Sequence, residues 1–235
     1  LVLLHEGLGC IDLWRDVGER LAAMTEWGVF AYSRFGYGRS APAPLPWPMT
    51  YMHEEALAVL PRVLDAAGIE LAVLVGHSDG GSIAAIHAGG TRDPRLLGVV
   101  TLAAHFFVEP MNIAAIERIS ATYATGDLRA RLGRYHRNVD NAFHGWSRAW
   151  LDPAFREFDI CSYLSRIAVP MLALQGEDDP YGTEAQLRAV HDHVRVAAET
   201  RLIPGARHAP HLEVAMPTLS AITSFILDRA EEIRA

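Results

Sequence analysis

Hydrophobic positions along the chain fall into six short apolar runs, at residues 1–4, 28–33, 71–76, 97–104, 169–175 and 199–203. Between the runs, apolar residues recur every three or four positions. Runs of this length, rich in Val and Leu and bounded by Gly or Pro, predict strands buried on both faces. The longer spacing predicts helices. Leu13, Val17 and Leu21 fall four apart, with Asp12 placed to cap them. A second helix is predicted from Thr50 to about Ala67, stopped by Gly68 and kinked by Pro61. Others begin at Gly81, near Thr183 and near Pro217, the last running to about Ile233. Strands and helices in alternation predict an α/β fold, a mostly parallel sheet with helices on both faces.

Two stretches depart from this rhythm. Residues 41–48 carry four prolines and predict a stiff surface loop. From His105 to about Ile167, helical segments bearing Tyr123, Tyr135, Phe143, Trp146 and Trp150 replace the alternation. That length exceeds what a crossover needs, so it predicts a helical cap, 105–167, on a core formed by 1–104 and 168–235. Its aromatic residues either form the interior of the cap or, as Phe106, Phe107, Trp146 and Trp150, line an apolar pocket.

Composition narrows the partners. The 235 residues carry a net charge of −7, 21% charged side chains and no basic run, which argues against nucleic acid or an anionic membrane surface. No apolar stretch approaches the roughly 20 residues of a membrane span. Cys10 and Cys161 stand far apart and suit neither a disulfide framework nor a zinc site. A small molecule is the expected partner, in a cytoplasmic setting by default; oligomeric state is not legible. The chain opens at Leu1 inside an apolar run, without Met or a charged-then-apolar leader, so an upstream segment is expected to be missing; if the chain is complete, the strand at 29–33 is instead expected to be an exposed edge.

The chemistry-bearing residues follow the predicted strands. Gly76-His77-Ser78-Asp79-Gly80 is a G-x-S-x-G between a strand and a helix. It reads either as a connecting turn or as a sharp elbow that lifts the Ser78 hydroxyl clear of the sheet and aims the Asp79 N–H at a developing oxyanion. Asp178 or Asp179 follows the fifth strand and His208 the sixth. A serine hydroxyl needs an imidazole to take its proton, and the imidazole needs a carboxylate to hold its tautomer. Residues 34–40, with Gly36 and Gly38, match neither a phosphate loop nor a dinucleotide fingerprint and read as a turn at the ligand-facing sheet edge. His208 and His211 are spaced like a metal pair but have Pro210 between them and no third ligand. His191 and His193 face different directions on a helix, and His87 reads as a packed histidine. His105 is placed either to line the pocket or to support it. No metal and no cofactor is expected.

Together, Gly76-His-Ser78-Asp-Gly80-Gly81, Gly176-Glu-Asp-Asp179, Gly205-Ala-Arg-His208 and His5-Glu-Gly7-Leu-Gly9 resemble the α/β-hydrolase family over nearly the whole chain. The resemblance implies Ser78 as nucleophile, His208 as general base and Asp179 as its carboxylate, with Asp178 as runner-up. It implies the N–H groups of Asp79 and Gly7 as oxyanion donors, with Leu8 as the alternative to Gly7. Leu8, His77, His105, Phe106, Trp146 and Trp150 are the pocket candidates. Glu6 stands where the family commonly has Gly, either hydrogen-bonding the loop or meeting substrate.

The implied activity is hydrolysis of a small to medium carboxylic ester or lactone. One rival is a carbon–carbon bond hydrolase of the meta-cleavage-product type, which needs a cation such as Arg34, Arg134, Arg137 or Arg148 for the substrate carboxylate. The other is a small-molecule receptor that keeps the fold.

Overall fold

The computed structural model describes the backbone of residues 1–234 and the side chains of residues 1–228. Six strands, β1 (Val2–Leu4), β2 (Phe30–Ala31), β3 (Ala72–His77), β4 (Leu96–Leu102), β5 (Met171–Gly176) and β6 (Ala198–Ile203), form one sheet in the order β2-β1-β3-β4-β5-β6. Every pairing is parallel.

Side chains on a strand alternate between faces, and the two interiors divide accordingly. Leu1, Leu3, Val73, Val75, Val100, Leu102, Leu172 and Leu174 pack on one face, under α1 (Val17–Thr25) and α11 (Ala215–Arg234). Val2, Leu4, Leu74, Val99, Met171 and Ala173 face the other interior, with α4 (Asp79–Thr91) among the helices that cover it. The central strands are apolar on both sides because both sides are covered. The edges are blunted instead. β2 is only two residues long, and β6 carries an exposed Glu199–Arg201 ion pair at 3.0 Å.

Two helices differ from the sequence expectation. Residues 50–67 form α2 (Tyr51–Glu54), a π segment (Glu55–Val59) and α3 (Leu60–Ala66). Pro61 offers no N–H to the preceding turn, and the helix widens into the π segment just before it. Asp12 caps nothing. Ile11–Trp14 is a 3-10 turn, and Arg15, at φ 51°, breaks it from α1, so Leu13 belongs to a loop near the site rather than to the helix.

Between β4 and β5 lie α5 (Pro110–Thr125), α6 (Leu128–Leu132), α7 (Val139–Leu151) and α8 (Cys161–Leu164); α9 (Ala185–His193) joins β5 to β6, and α10 (Pro210–Glu213) precedes α11. Gly145 on α7 lets Trp47 of the proline-rich loop pack against the helix backbone, where a β-carbon would collide with the indole. Among the described residues no helix is long and apolar enough to cross a membrane.

Candidate active site

The turn between β3 and α4 is sharp enough to force Ser78 to φ 51°, ψ −118°, a conformation that L residues rarely adopt. The surroundings hold it there. Its N–H donates to Leu102 O at 2.8 Å, and its carbonyl accepts from the N–H groups of Gly81 and Ser82 at 2.8 and 3.1 Å. Glycine is required beside it because a β-carbon at Gly76 would strike the Gly80 carbonyl, and one at Gly80 would strike the carbonyl of Leu4.

His208, in the loop after β6, meets this turn. The Ser78 hydroxyl lies 3.0 Å from His208 Nε2, and His208 Nδ1 lies 3.0 and 2.9 Å from the two oxygens of Asp179. Asp179 is also held by the Tyr181 N–H at 2.8 Å and by Gln175 Nε2 at 2.7 Å. Burial would raise its pKa, but the His208 contact and the Tyr181 N–H outweigh that and hold the carboxyl below its ordinary value. Nδ1 therefore carries the proton toward the carboxylate, leaving Nε2 to accept from Ser78. Asp178 is exposed, whereas Asp179 is 5% exposed.

The loop after β1 is tied down from below. His5 Nδ1–H donates to Glu6 O at 2.7 Å, and Nε2 accepts from the Arg34 N–H at 3.1 Å. The Arg34 guanidinium donates to the carbonyls of His5 and Glu6. His136, which the sequence reading did not single out, clamps from above. Its Nε2–H donates to Leu8 O at 2.8 Å and its Nδ1 accepts from the Gly38 N–H at 2.9 Å. So held, Gly7 lines the same cavity as Ser78, and among the described residues none accepts from its N–H. The Asp79 N–H is the first of α4 and has no partner within the helix.

The cavity beside Ser78 has a volume of about 220 Å³. Of the expected residues, Gly7, Leu8, Asp79, His105, Trp146 and Trp150 line it, and so does Glu6. Three expected residues do not. Phe107 packs against the core and bridges to Asp159. Phe106 is buried in the core, its N–H tied to Gln186 Oε1. His77 lies behind the site, with its Nε2 donating to the His208 carbonyl at 2.7 Å.

Not foreseen from the sequence were Leu13, Tyr181 and the polar Asn112, nor Ile116 and Ile119 on α5 and Leu128 and Leu132 on α6, which complete the apolar wall. Their signal was available. Spacings of three and four mark single helix faces, although which face looks down at Ser78 depends on packing.

Buried polar groups around the cavity are satisfied in a chain. The Trp150 indole N–H donates to Tyr51 Oη at 2.9 Å, and the Tyr51 hydroxyl donates to Asp79 Oδ2 at 2.6 Å. Burial raises the Asp79 carboxyl above its ordinary value, with nearby Arg34 opposing. Tyr51→Phe leaves both a buried indole N–H and a buried carboxyl short of a partner and is expected to cost about 1–3 kcal/mol, read as a lowered denaturation midpoint in urea. His105 is pushed down to about 3, chiefly by burial, so it stays neutral next to the His208 ring.

The family model for the alpha/beta hydrolase fold matches residues 1–135, more than half of the chain. The chain belongs to the α/β-hydrolase family. Solved structures with the same α/β-hydrolase fold include a carboxylesterase from Nitrososphaera gargenis (TM-score 0.78, 17% identity, 98% of this chain and 90% of that one). An enol-lactonase from Burkholderia xenovorans gives a TM-score of 0.71 at 19% identity, over 98% and 90% of the two chains. A monoacylglycerol lipase from Paleococcus ferrophilus gives 0.69 at 19%, over 97% and 93%. No curated protein matches the sequence.

Proposed function

We propose that this α/β-hydrolase cleaves small, uncharged carboxylic esters or lactones through an acyl-enzyme on Ser78. The observation that carries this reading is the unbroken line from Ser78 Oγ through His208 to Asp179, with both links at 2.9–3.0 Å. Ser78 Oγ attacks the ester carbonyl while His208 Nε2 takes its proton. The imidazolium so formed is stabilised by Asp179. The N–H groups of Asp79 and Gly7 receive the oxyanion. His208 returns its proton to the departing alcohol, leaving the acyl group on Ser78. A water molecule then gives a proton to His208 and attacks the acyl carbonyl, and the second tetrahedral species collapses as His208 passes that proton to the departing Ser78 Oγ, freeing the carboxylic acid and restoring the enzyme. The helices of residues 105–167 serve as the cap that walls off this chemistry from bulk water.

The cavity supports the ester reading over carbon–carbon cleavage. The sequence contains no lysine, and no arginine is among the residues lining the cavity, whereas Glu6 and Asp79 are. Of the arginines considered, Arg34 is buried and committed to main-chain carbonyls. A substrate carboxylate would face the Glu6 and Asp79 carboxyls and find no arginine or lysine on the wall to pair with. The small volume and apolar walls also suit a short acyl chain.

The test is release of p-nitrophenol from the acetate and butyrate esters at neutral pH. Turnover that vanishes in Ser78→Ala is expected; turnover that survives overturns the mechanism. On charge, kcat/KM for p-nitrophenyl hemisuccinate is expected to fall at least about tenfold below that for the butyrate, a penalty of about 1.4 kcal/mol. Equal rates would contradict an uncharged substrate.

A further inference from the structure

Glu6 and His77 have no part in the mechanism above, yet both are built into its centre. His77 is 3% exposed, and both of its ring nitrogens face acceptors. Nε2 lies 2.7 Å from the carbonyl oxygen of His208, and Nδ1 lies 3.3 Å from Glu6 Oε2. A neutral imidazole has one N–H, which the His208 carbonyl takes; Nδ1 makes no hydrogen bond, and its contact with the Glu6 carboxylate is an ion pair that attracts only when the ring carries its second proton.

The surroundings agree. Burial would lower the His77 pKa, but the Glu6 carboxylate outweighs it and raises it. In return, burial would raise Glu6, and the His77 contact brings it below its ordinary value. Other titratable groups bear on His77 from every side: His5 from the β1 loop, His105 from the β4 loop, Asp179 from the β5 loop, and His208 and His211 after β6. Trp14 packs edge-on against the ring. Glu6 and Asp179 supply the negative charge, and Glu6 alone reaches a nitrogen.

Sequence neighbours give the pair its place. Glu6 precedes Gly7, His77 precedes Ser78, and the carbonyl that His77 holds is that of His208 itself. We propose that the Glu6–His77 ion pair is a positioning device that locks the Gly7 loop, the Ser78 turn and the His208 main chain in one register. This rests on the reading of His208 as general base. His77 lies behind the cavity wall, and an uncharged ester offers the Glu6 carboxylate no charge to bind, so loss of the pair acts on kcat by letting His208 drift from Ser78, and misplacement on the ångström scale costs up to about a hundredfold. The pair's contribution to stability is present below the ordinary histidine pKa and is lost as pH rises through the raised value of His77.

The experiment is a ¹⁵N-histidine NMR titration of the full chain and of Glu6→Gln, with kcat and KM on p-nitrophenyl butyrate in parallel. In the wild-type chain His77 is expected to carry protons on both nitrogens at pH 7 and to titrate above the ordinary histidine value. In Glu6→Gln it is expected to be neutral, with the His208 Nδ1 proton resonance shifted. The kcat is expected to fall about tenfold to a hundredfold, with KM within about twofold. His77→Gln should fall equally, and the double variant no further, as coupled residues do. A neutral His77 at pH 7, an unmoved His208 resonance, or a kcat within about twofold would overturn the proposal. A chain with no esterase turnover would overturn the role of His208 instead, and the two NMR readouts would still decide whether the pair positions it.

Discussion

Ser78→Ala is expected to lower kcat/KM on p-nitrophenyl butyrate by about four to six orders of magnitude while leaving the fold intact. The asymmetry follows from what the hydroxyl touches. Its hydrogen-bond partner is His208 Nε2, at 3.0 Å, so its removal opens no hole in the core and strands no buried donor. The backbone at φ 51° is equally strained for alanine, so that term cancels. What is lost is the atom that bonds to the acyl carbon. Thermal unfolding of the variant should stay within about 0.5 kcal/mol of the parent, typical of a substitution that breaks no buried network. A loss of activity accompanied by a collapse of the melting transition would mean that Ser78 serves the fold.

Gly80→Ala is expected to do the reverse and damage the fold first. A β-carbon there would collide with the carbonyl of Leu4 and come within 2.7 Å of that of His5, both main-chain atoms of a loop pinned by Arg34. A flexible side chain could rotate away; a strand end cannot. α4 must therefore move off the sheet, carrying the Ser78 turn with it. The expected cost is about 3 kcal/mol or more, at the upper end for overpacking, which for a chain of this length is a fall in melting temperature of roughly 6–12 °C. Esterase activity should fall with it, because the turn that aims Ser78 rests on the same contact. A variant that melts with the parent would show that α4 and β1 have slack.

The residues that proved legible are those whose position follows from local rules. Val73, Val75 and Leu74 divide between the two faces because side chains alternate along a strand, and their apolarity on both faces required helices on both sides. Gly76 and Gly80 announced a close approach of strand and helix, and the structure brings Ser78, Asp179 and His208 into one hydrogen-bonded line from three separate strand ends. What resisted reading depends on packing between distant segments. His77 sits beside Ser78 in sequence, but a strand residue's neighbour points to the opposite side, so it faces Glu6 and His208 from behind rather than the cavity. Phe106 lies in the loop beyond β4 and fails as a pocket residue because that loop packs it into the core, with its N–H on Gln186 Oε1. Ile116, Leu128 and Leu132 line the cavity through helix placement that periodicity alone leaves open. His136 clamps Leu8 and Gly38 from about a hundred residues away, and no spacing announces a contact of that kind.

The claim at the centre of this account is that the Ser78 oxygen is the activated nucleophile. A fluorophosphonate, which phosphonylates an activated serine hydroxyl, tests it most directly when the adduct is mapped by peptide mass spectrometry. One adduct per chain is expected, on Ser78, and none in His208→Ala. An adduct on any other residue, or esterase turnover with Ser78 unmodified under saturating probe, would contradict it.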